Sequence, residues 1–308
     1  MAPGPKTCIY SRGWYKLWRQ GDLLAALICL LPATIVFGVF NIFPTLYSGY
    51  LSLLDWDGLS ARKVFVGLAN YDELLQSETF WNSLGVTLYY MVGITVLGIA
   101  AGLVVALALN RGIRALSFYR AVYFTPNITA PVAAAVVWRS FFDPASGLLN
   151  VALRSAGLPA PAWLASTVWA MPAVILVGVW RRLGYNMVIY LAGLQSIPRD
   201  YYEAAEVDGA GSWARFRYIT LPLLAPITAL LVIMSVIESF LVFDQVYVLT
   251  QGGPLESTEV IGLLLYRLGF RYLELGRAST VGWVIFVVIF AITLFQWKLF
   301  GFESRGTT

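Results

Sequence analysis

Few residue types in this chain can do chemistry, and the absences are informative. Histidine, the commonest general base and metal ligand, does not occur among the 308 residues. The two cysteines, Cys8 in a polar tail and Cys29 in an apolar run, cannot build a metal site and are poorly placed for a disulfide. A phosphate-binding loop needs Gly-Lys before Ser or Thr, yet the four lysines follow Pro5, Tyr15, Arg62 and Trp297. No Gly-x-Ser-x-Gly elbow occurs, and no carboxylates cluster with metal-ligand spacing. What remains is a handful of charges set in apolar sequence (Arg139, Arg181, Arg182, Glu238 and Asp244) and one polar interval, 198–222.

That interval reads as two short helices with a break between them. Ser196 is placed to cap the first, Pro198 suits its opening turn, and Ala204 and Ala205 favour helix. Gly209 is the expected stop, because glycine enters a left-handed turn without steric cost. Ser212 is placed to cap a second turn carrying Trp213 and Phe216. The two alanines leave a shallow surface with Glu203 as a charged hook, which suits docking into a groove on another protein. The plainer alternative is an amphipathic helix lying on a membrane surface.

The spacing matches a family signature. Glu203-Ala204-Ala205, Gly209 after three intervening residues, Ile219 after nine more, then Leu221-Pro222 resembles the EAA loop. That loop marks the membrane subunits of bacterial binding-protein-dependent ABC importers. Further stretches resemble the sugar-type branch: Phe65-Val66-Gly67-Leu68-Ala69-Asn70-Tyr71, then Leu191–Pro198, and Phe243-Asp244-Gln245-Val246-Tyr247 with Thr250-Gln251-Gly252-Gly253-Pro254 behind it. The segment from Trp138 through Pro144, Gly147 and Asn150 to Gly157 resembles that family's partly helical external lid.

Composition agrees with a membrane protein. The chain is 59% hydrophobic and 12% charged, with mean hydropathy +0.72, against roughly 25% charged in soluble domains. A span needs about 20 apolar residues, and six stretches supply them: Leu23 to about Ser48, Trp81–Leu109, Tyr119–Phe142, a stretch within Thr167–Gln195 interrupted by Arg181, Arg182 and Gly184, Pro226–Leu249, and Ala278–Phe300. The expected division is a tail at 1–22, a six-helix transmembrane domain at 23–302 and a tail at 303–308. Within the domain lie an external loop at 49–80, the lid at 142–166 and the EAA loop at 197–222. A cleaved signal peptide at the start is disfavoured, because the first apolar run is too long and no small-residue site ends it clearly.

Loop charge sets the orientation. The first tail holds four Lys/Arg, the second loop three, the EAA loop three and the last tail two, which is twelve of the twenty-one. The other loops hold six, so the positive-inside rule places both termini and the EAA loop in the cytoplasm. The net charge of +4 therefore reflects side-specific loops rather than a nucleic-acid partner. Internal repeats of the secondary-transporter kind are not evident.

The resemblance implies an all-α integral membrane protein with the type I ABC importer permease fold, multi-pass in the bacterial cytoplasmic (inner) membrane. It implies a heterodimer with a second permease, two ATPase subunits that bind the ATP and magnesium, and an extracellular solute-binding protein. No cofactor is expected in this chain, and no catalysis. Glu203, Ala204, Ala205, Asp208, Gly209 and Ala210 would couple it to the ATPases. Alternating access would carry a sugar, glycoside or polyol, with glycerol-3-phosphate or a glycerophosphodiester as the alternative. A channel has no reason to carry the EAA loop, and an enzyme lacks its residues.

Aromatic and amide groups suit sugars, so Asn127, Tyr185, Asn186, Gln245 and Tyr247 are candidates for the solute path, with packing between helices as the alternative for each. A charge at mid-bilayer costs about 2.5–3.5 kcal/mol on insertion scales and needs a partner or water. At about 1.5 Å per helical residue, Arg182 lies ~21 Å above the inner surface counted from Ser196 and Glu238 ~18 Å counted from Pro226, so the two are expected to pair. Arg139 and Asp244 match in depth nearer the outer face, at ~28 and ~27 Å. Arg181 is left to face solute. Glu238 departs from the small or neutral residue expected of the family there.

Overall fold

A computed structural model describes residues 20–110 and 115–300. Expectations resting on 1–19, Arg111, Arg114 and 301–308 lie outside those residues. Helix α1 (Gln20–Phe37) passes through a π-helical turn, Gly38–Ile42, into α2 (Phe43–Leu51). A hairpin of β1 (Leu54–Asp55) and β2 (Val64–Phe65) follows, antiparallel, with Leu54 opposite Phe65. Next come α3 (Ala69–Gln76) and α4 (Glu78–Leu109). Ser77 caps α4 by accepting the Phe80 N–H.

The third span departs from its expected form. It is two helices, α5 (Leu116–Ile128) and α6 (Pro131–Phe141), bent by 96°. The residue before a proline is pushed out of the helical region, so Ala130 before Pro131 breaks the run. Short α7 (Leu148–Ser155) follows. The fold of this segment hangs on Asn150, which donates to the Pro161 carbonyl at 3.1 Å and accepts the Trp163 indole N–H at 2.8 Å.

Helix α8 (Ala170–Ser196) runs without a break through Arg181, Arg182 and Gly184, where an interruption was expected. Then come α9 (Arg199–Val207), α10 (Ser212–Arg215), a π-helical turn at Phe216–Thr220 and α11 (Leu221–Phe240). The expected fifth span to Leu249 ends at Phe240, because α12 (Asp244–Leu249) turns away and packs on α6. Helix α13 (Ile261–Tyr266) leads through a π-helical turn, Arg267–Arg271, to α14 (Leu275–Phe300). Five described segments are long and apolar enough to cross a membrane, or six when α5 and α6 count as one broken span.

Helix α8 is the axis of the bundle. Its main neighbour is α4, with α5, α11 and α12 around the remainder. Apolar contact does not drive helices together in lipid, so small residues that admit close approach decide the packing. A Cβ on Gly102 of α4 would stand 2.5 Å from Asn186 Cβ of α8. One on Gly184 of α8 would stand 2.0 Å from the Tyr123 carbonyl oxygen of α5. These two contacts set where α4 and α5 cross α8. By contrast, the most apolar window of Ala26–Leu51 contributes no buried residue, so it lies on the outside of this chain.

Candidate coupling loop and cavity

The polar interval forms a compact two-helix turn. Helix α9 starts at Pro198 without a side-chain cap, since Ser196 closes α8 and donates to the Gly193 carbonyl at 2.8 Å. Ser212 is likewise the first residue of α10, with Gly211 in the capping position. Both expected serine caps are therefore corrected. The end of α9 is the well-defined part. Gly209 adopts φ +78, its N–H bonds the Glu206 carbonyl at 3.0 Å, and the Ala210 N–H bonds the Ala205 carbonyl at 2.8 Å. This is the Schellman closure, in which a left-handed residue lets two orphan carbonyls be satisfied. Ala205, Gly209 and Ala210 thus build the turn, while Glu203, Ala204 and Asp208 stand exposed.

Two contacts brace α9, and neither is apparent in the linear sequence. Tyr202 Oη and Thr220 Oγ1 lie 3.0 Å apart, tying α9 to the base of α11. Arg215 donates to Glu206 across the Gly209 break at 3.2 Å. No residue of α9 is buried, and Val207, Trp213 and Tyr218 are largely exposed. Exposed apolar groups on a polar turn suit contact with another protein or with a membrane surface.

Further along the bundle, α8 and α11 carry the expected charges to each other. Arg182 Nη1 lies 2.6 Å from Glu238 Oε2, and Nη2 donates to Oε1 at 3.1 Å. The pair is unequally buried. The arginine side chain is 10% exposed and the glutamate 49%, because Glu238 opens onto a cavity of about 240 Å³. Asn127, Arg181, Asp244, Gln245 and Tyr90 share its wall. Gln245 is fixed there by donating its amide to Tyr90 Oη at 2.7 Å. Arg181 has a buried Nε without a partner and no acid within ion-pair distance among the described residues. The wall thus combines two guanidinium groups, two carboxylates, two amides, a phenol and the Ser239 hydroxyl.

Three candidates for the solute path sit elsewhere. Asn186 is buried between helices and donates to the Gly98 carbonyl at 2.9 Å. It locks α4 to α8, the packing role given above as its alternative. Tyr185 packs on the inner core cluster and under the Arg182 guanidinium at 5.6 Å. Tyr247 stacks on Phe243 and meets Tyr266 edge-on, outside the cavity wall. Arg139 and Asp244 are both exposed and form no ion pair among the described residues; the depth match expected for them fails, because α5 and α6 bend by 96° and α11 ends at Phe240. Tyr90, on the second span, was missed from sequence; a tyrosine amid apolar residues was its one signal.

Comparison with known proteins agrees with this geometry. Residues 94–299 match the family described as "Binding-protein-dependent transport system inner membrane component". The chain is similar to the sn-glycerol-3-phosphate transport system permease protein UgpA of Agrobacterium fabrum, at 34% identity over 87% of this chain and 91% of that one. It is equally similar to the lactose transport system permease protein LacF of Rhizobium radiobacter, at 34% over 86% and 90%. Among solved structures, a bacterial ABC transporter involved in the import of the acidic polysaccharide alginate superposes with TM-score 0.80 at 26% identity, covering 94% of this chain and 99% of that one. Helices arranged for membrane crossing, a polar cavity between α8 and α11, and a family match over two thirds of the length converge on one conclusion: this chain belongs to the binding-protein-dependent ABC importer permeases, multi-pass inner-membrane subunits whose ATP is bound by a partner.

Proposed function

We propose that this permease forms half of the translocation path for a sugar, glycoside or polyol. It pairs with a second permease over two ATPase subunits and receives solute from an extracellular binding protein. The α9 end faces the cytoplasm, as the loop charges imply, and Glu203 with its neighbours docks there in the ATPase groove. The observation that carries the solute class is the cavity beside Arg182–Glu238. Its charges are balanced, two arginines against two acids, and its other polar side chains are two amides, a phenol and the Ser239 hydroxyl. Such a wall favours neutral hydroxyl groups over net charge. The lactose-transport relative supports this side.

A second solute class is favoured by one specific feature. Arg181 lacks an acid partner and buries an unsatisfied Nε, which suits a phosphate or carboxylate. The glycerol-3-phosphate relative and the transporter of an acidic polysaccharide support it. The two classes separate in a reconstituted importer with its binding protein, by measuring ATP hydrolysis stimulated by lactose, maltose, trehalose, sn-glycerol-3-phosphate and glycerophosphocholine. Stimulation by a neutral glycoside is expected. Stimulation by the phosphates alone assigns the anionic class, and no stimulation by any binding-protein-delivered solute overturns the proposal.

A further inference from the structure

Two charges of the cavity wall are left over once its ion pair has formed. Arg182 takes up both oxygens of Glu238, so that pair is neutral by itself. Arg181, the preceding residue of α8, has no acid within ion-pair distance among the described residues, and its Nε is buried without an acceptor. Asp244, the first residue of α12, is exposed, and its side chain forms no ion pair among the described residues. Both line the same cavity of about 240 Å³, yet they do not pair with each other.

A charge at membrane depth needs a partner or water. Here one unpaired cation and one unpaired anion share a cavity, and their surroundings differ. Arg181 offers the planar guanidinium donors that match a phosphate or a carboxylate. Beside Asp244 stands Phe243, whose ring also lines the cavity and is backed by Tyr266 at 4.9 Å and Tyr247 at 5.3 Å between centroids. A carboxylate next to an aromatic face holds an ammonium group twice over, through its charge and through the ring quadrupole. A solute with one charge satisfies one of these groups and leaves the other unpaired, so the wall discriminates against it.

We propose that the cavity selects a hydroxylated zwitterion, with an ammonium group at Asp244 and Phe243 and a phosphate or carboxylate at Arg181. This rests on the reading of the cavity as the solute path and narrows it: the preferred solute has no net charge but carries both charges. The Asn127 and Gln245 amides are left for the hydroxyl groups between its two ends. A neutral glycoside uses only that middle part of the wall and binds less tightly.

Calorimetric titration of the complete importer in nanodiscs, with the binding protein left out, tests this. Glycerophosphocholine and muramic acid carry both charges, the negative one on a phosphate and a carboxylate respectively. The controls are sn-glycerol-3-phosphate with the negative charge alone, choline with the positive charge alone and lactose with neither. At least one zwitterion should bind about tenfold or more tightly than each control, and which of the two does so tells phosphate from carboxylate. Asp244→Asn should abolish the advantage over sn-glycerol-3-phosphate, and Arg181→Gln the advantage over choline. A variant that merely loosens the helices weakens all probes alike and does not reorder them. Any control binding as tightly as both zwitterions overturns the inference, as does binding by none of the probes. A zwitterion preference unchanged in both variants overturns its assignment to these side chains. The solute-path reading fails on a different result, the absence of ATP hydrolysis stimulated by any delivered solute, whereas tight binding of lactose alone overturns only the zwitterion.

Discussion

Every ion pair among the described residues joins an arginine to a glutamate, and two of them, one between α9 and α10 and one between α8 and α11, differ in every respect that sets their energy. Glu206–Arg215 closes over the Gly209 break at 3.2 Å, with the glutamate 71% exposed. Arg182–Glu238 joins α8 to α11 with both nitrogens engaged, at 2.6 and 3.1 Å, and with the arginine 10% exposed. Water screens the first pair and satisfies either partner alone, so exposed pairs contribute about 0.2–1 kcal/mol. The second arginine, 10% exposed, has little water to return to. Breaking such a pair costs about 3–5 kcal/mol in fully buried cases. The half-open Glu238 places this pair at the lower end. A pairing seen in coordinates therefore says little until its surroundings are weighed.

The sharpest test of this contrast, with the largest effect, is at the cavity. Glu238→Gln strands the Arg182 charge and should lower the yield of assembled importer, together with transport. Arg182→Met combined with Glu238→Leu should recover much of the assembly, because it removes the stranded charge, but not the transport. Recovery of both would reduce the pair to an anchor between two helices. A thermal unfolding series on the purified complex, run beside a transport assay, distinguishes these outcomes.

Next in size are changes to the turn that ends α9. Gly209→Val forces a β-branched residue into φ +78 and should cost about 1 kcal/mol or more locally. Glu203→Lys leaves the turn intact and alters only the exposed hook. Both should insert normally yet lose solute-stimulated ATP hydrolysis. Full stimulation in Glu203→Lys would remove that side chain from coupling.

The brace beneath α9 comes third. Tyr202→Phe removes one half-buried hydrogen bond to Thr220, of the kind that contributes about 0.5–1.5 kcal/mol. It should raise hydrogen exchange in 199–210 without changing α8. Glu206→Ala should do less, within the exposed-pair range. If Glu206→Ala proved the more damaging, the contrast drawn between exposed and buried pairs would fail for this loop.

The smallest expected effect is on acid tolerance of the segment after α6. The Asp143 carboxylate accepts the Ser146 N–H, the Ser146 hydroxyl and the Ala145 N–H, which together hold it below the usual carboxylate range. A depressed folded value means the contribution is fully present above the ordinary carboxylate range and is lost as pH falls through the lowered value. Exchange protection of 143–147 should therefore drop on the acid side in the wild type. Asp143→Asn should flatten that dependence.

Much of this was legible in the sequence, for identifiable reasons. The EAA spacing is local, and Gly209 meets its left-handed turn within five residues of chain. Span positions follow from apolar length, so they needed no knowledge of neighbours. Even the Arg182–Glu238 pairing followed from depth, because rise per residue converts position into height in a helix that crosses a bilayer. Where the local rule was weak, the expectation failed. Both serines near α9 missed their caps, since the chain on either side dictated the helix starts.

What the sequence by itself determined is therefore height: which residues share a level in the membrane, which end carries the coupling loop, and where glycine must turn. What only the tertiary structure decided is azimuth, the direction each side chain faces around its helix. Arg139 and Asp244 were expected at one level and form no ion pair among the described residues, because α5 and α6 bend by 96° and α11 ends before Asp244. Arg182 and Glu238 lie on unbroken helices and do pair. Asn186 faces Gly98 while Gln245 faces Tyr90 and the cavity, though both are amides on apolar helices. Rotation about a helix axis is set by which small residues let a neighbour approach, and Gly102 and Gly184 fix it through contacts with Asn186 and the Tyr123 backbone, each more than sixty residues away in the chain. Lipid solvates every apolar face equally, so no hydrophobic period along α8 points inward, and the facing of its polar groups is decided only when those helices close around it.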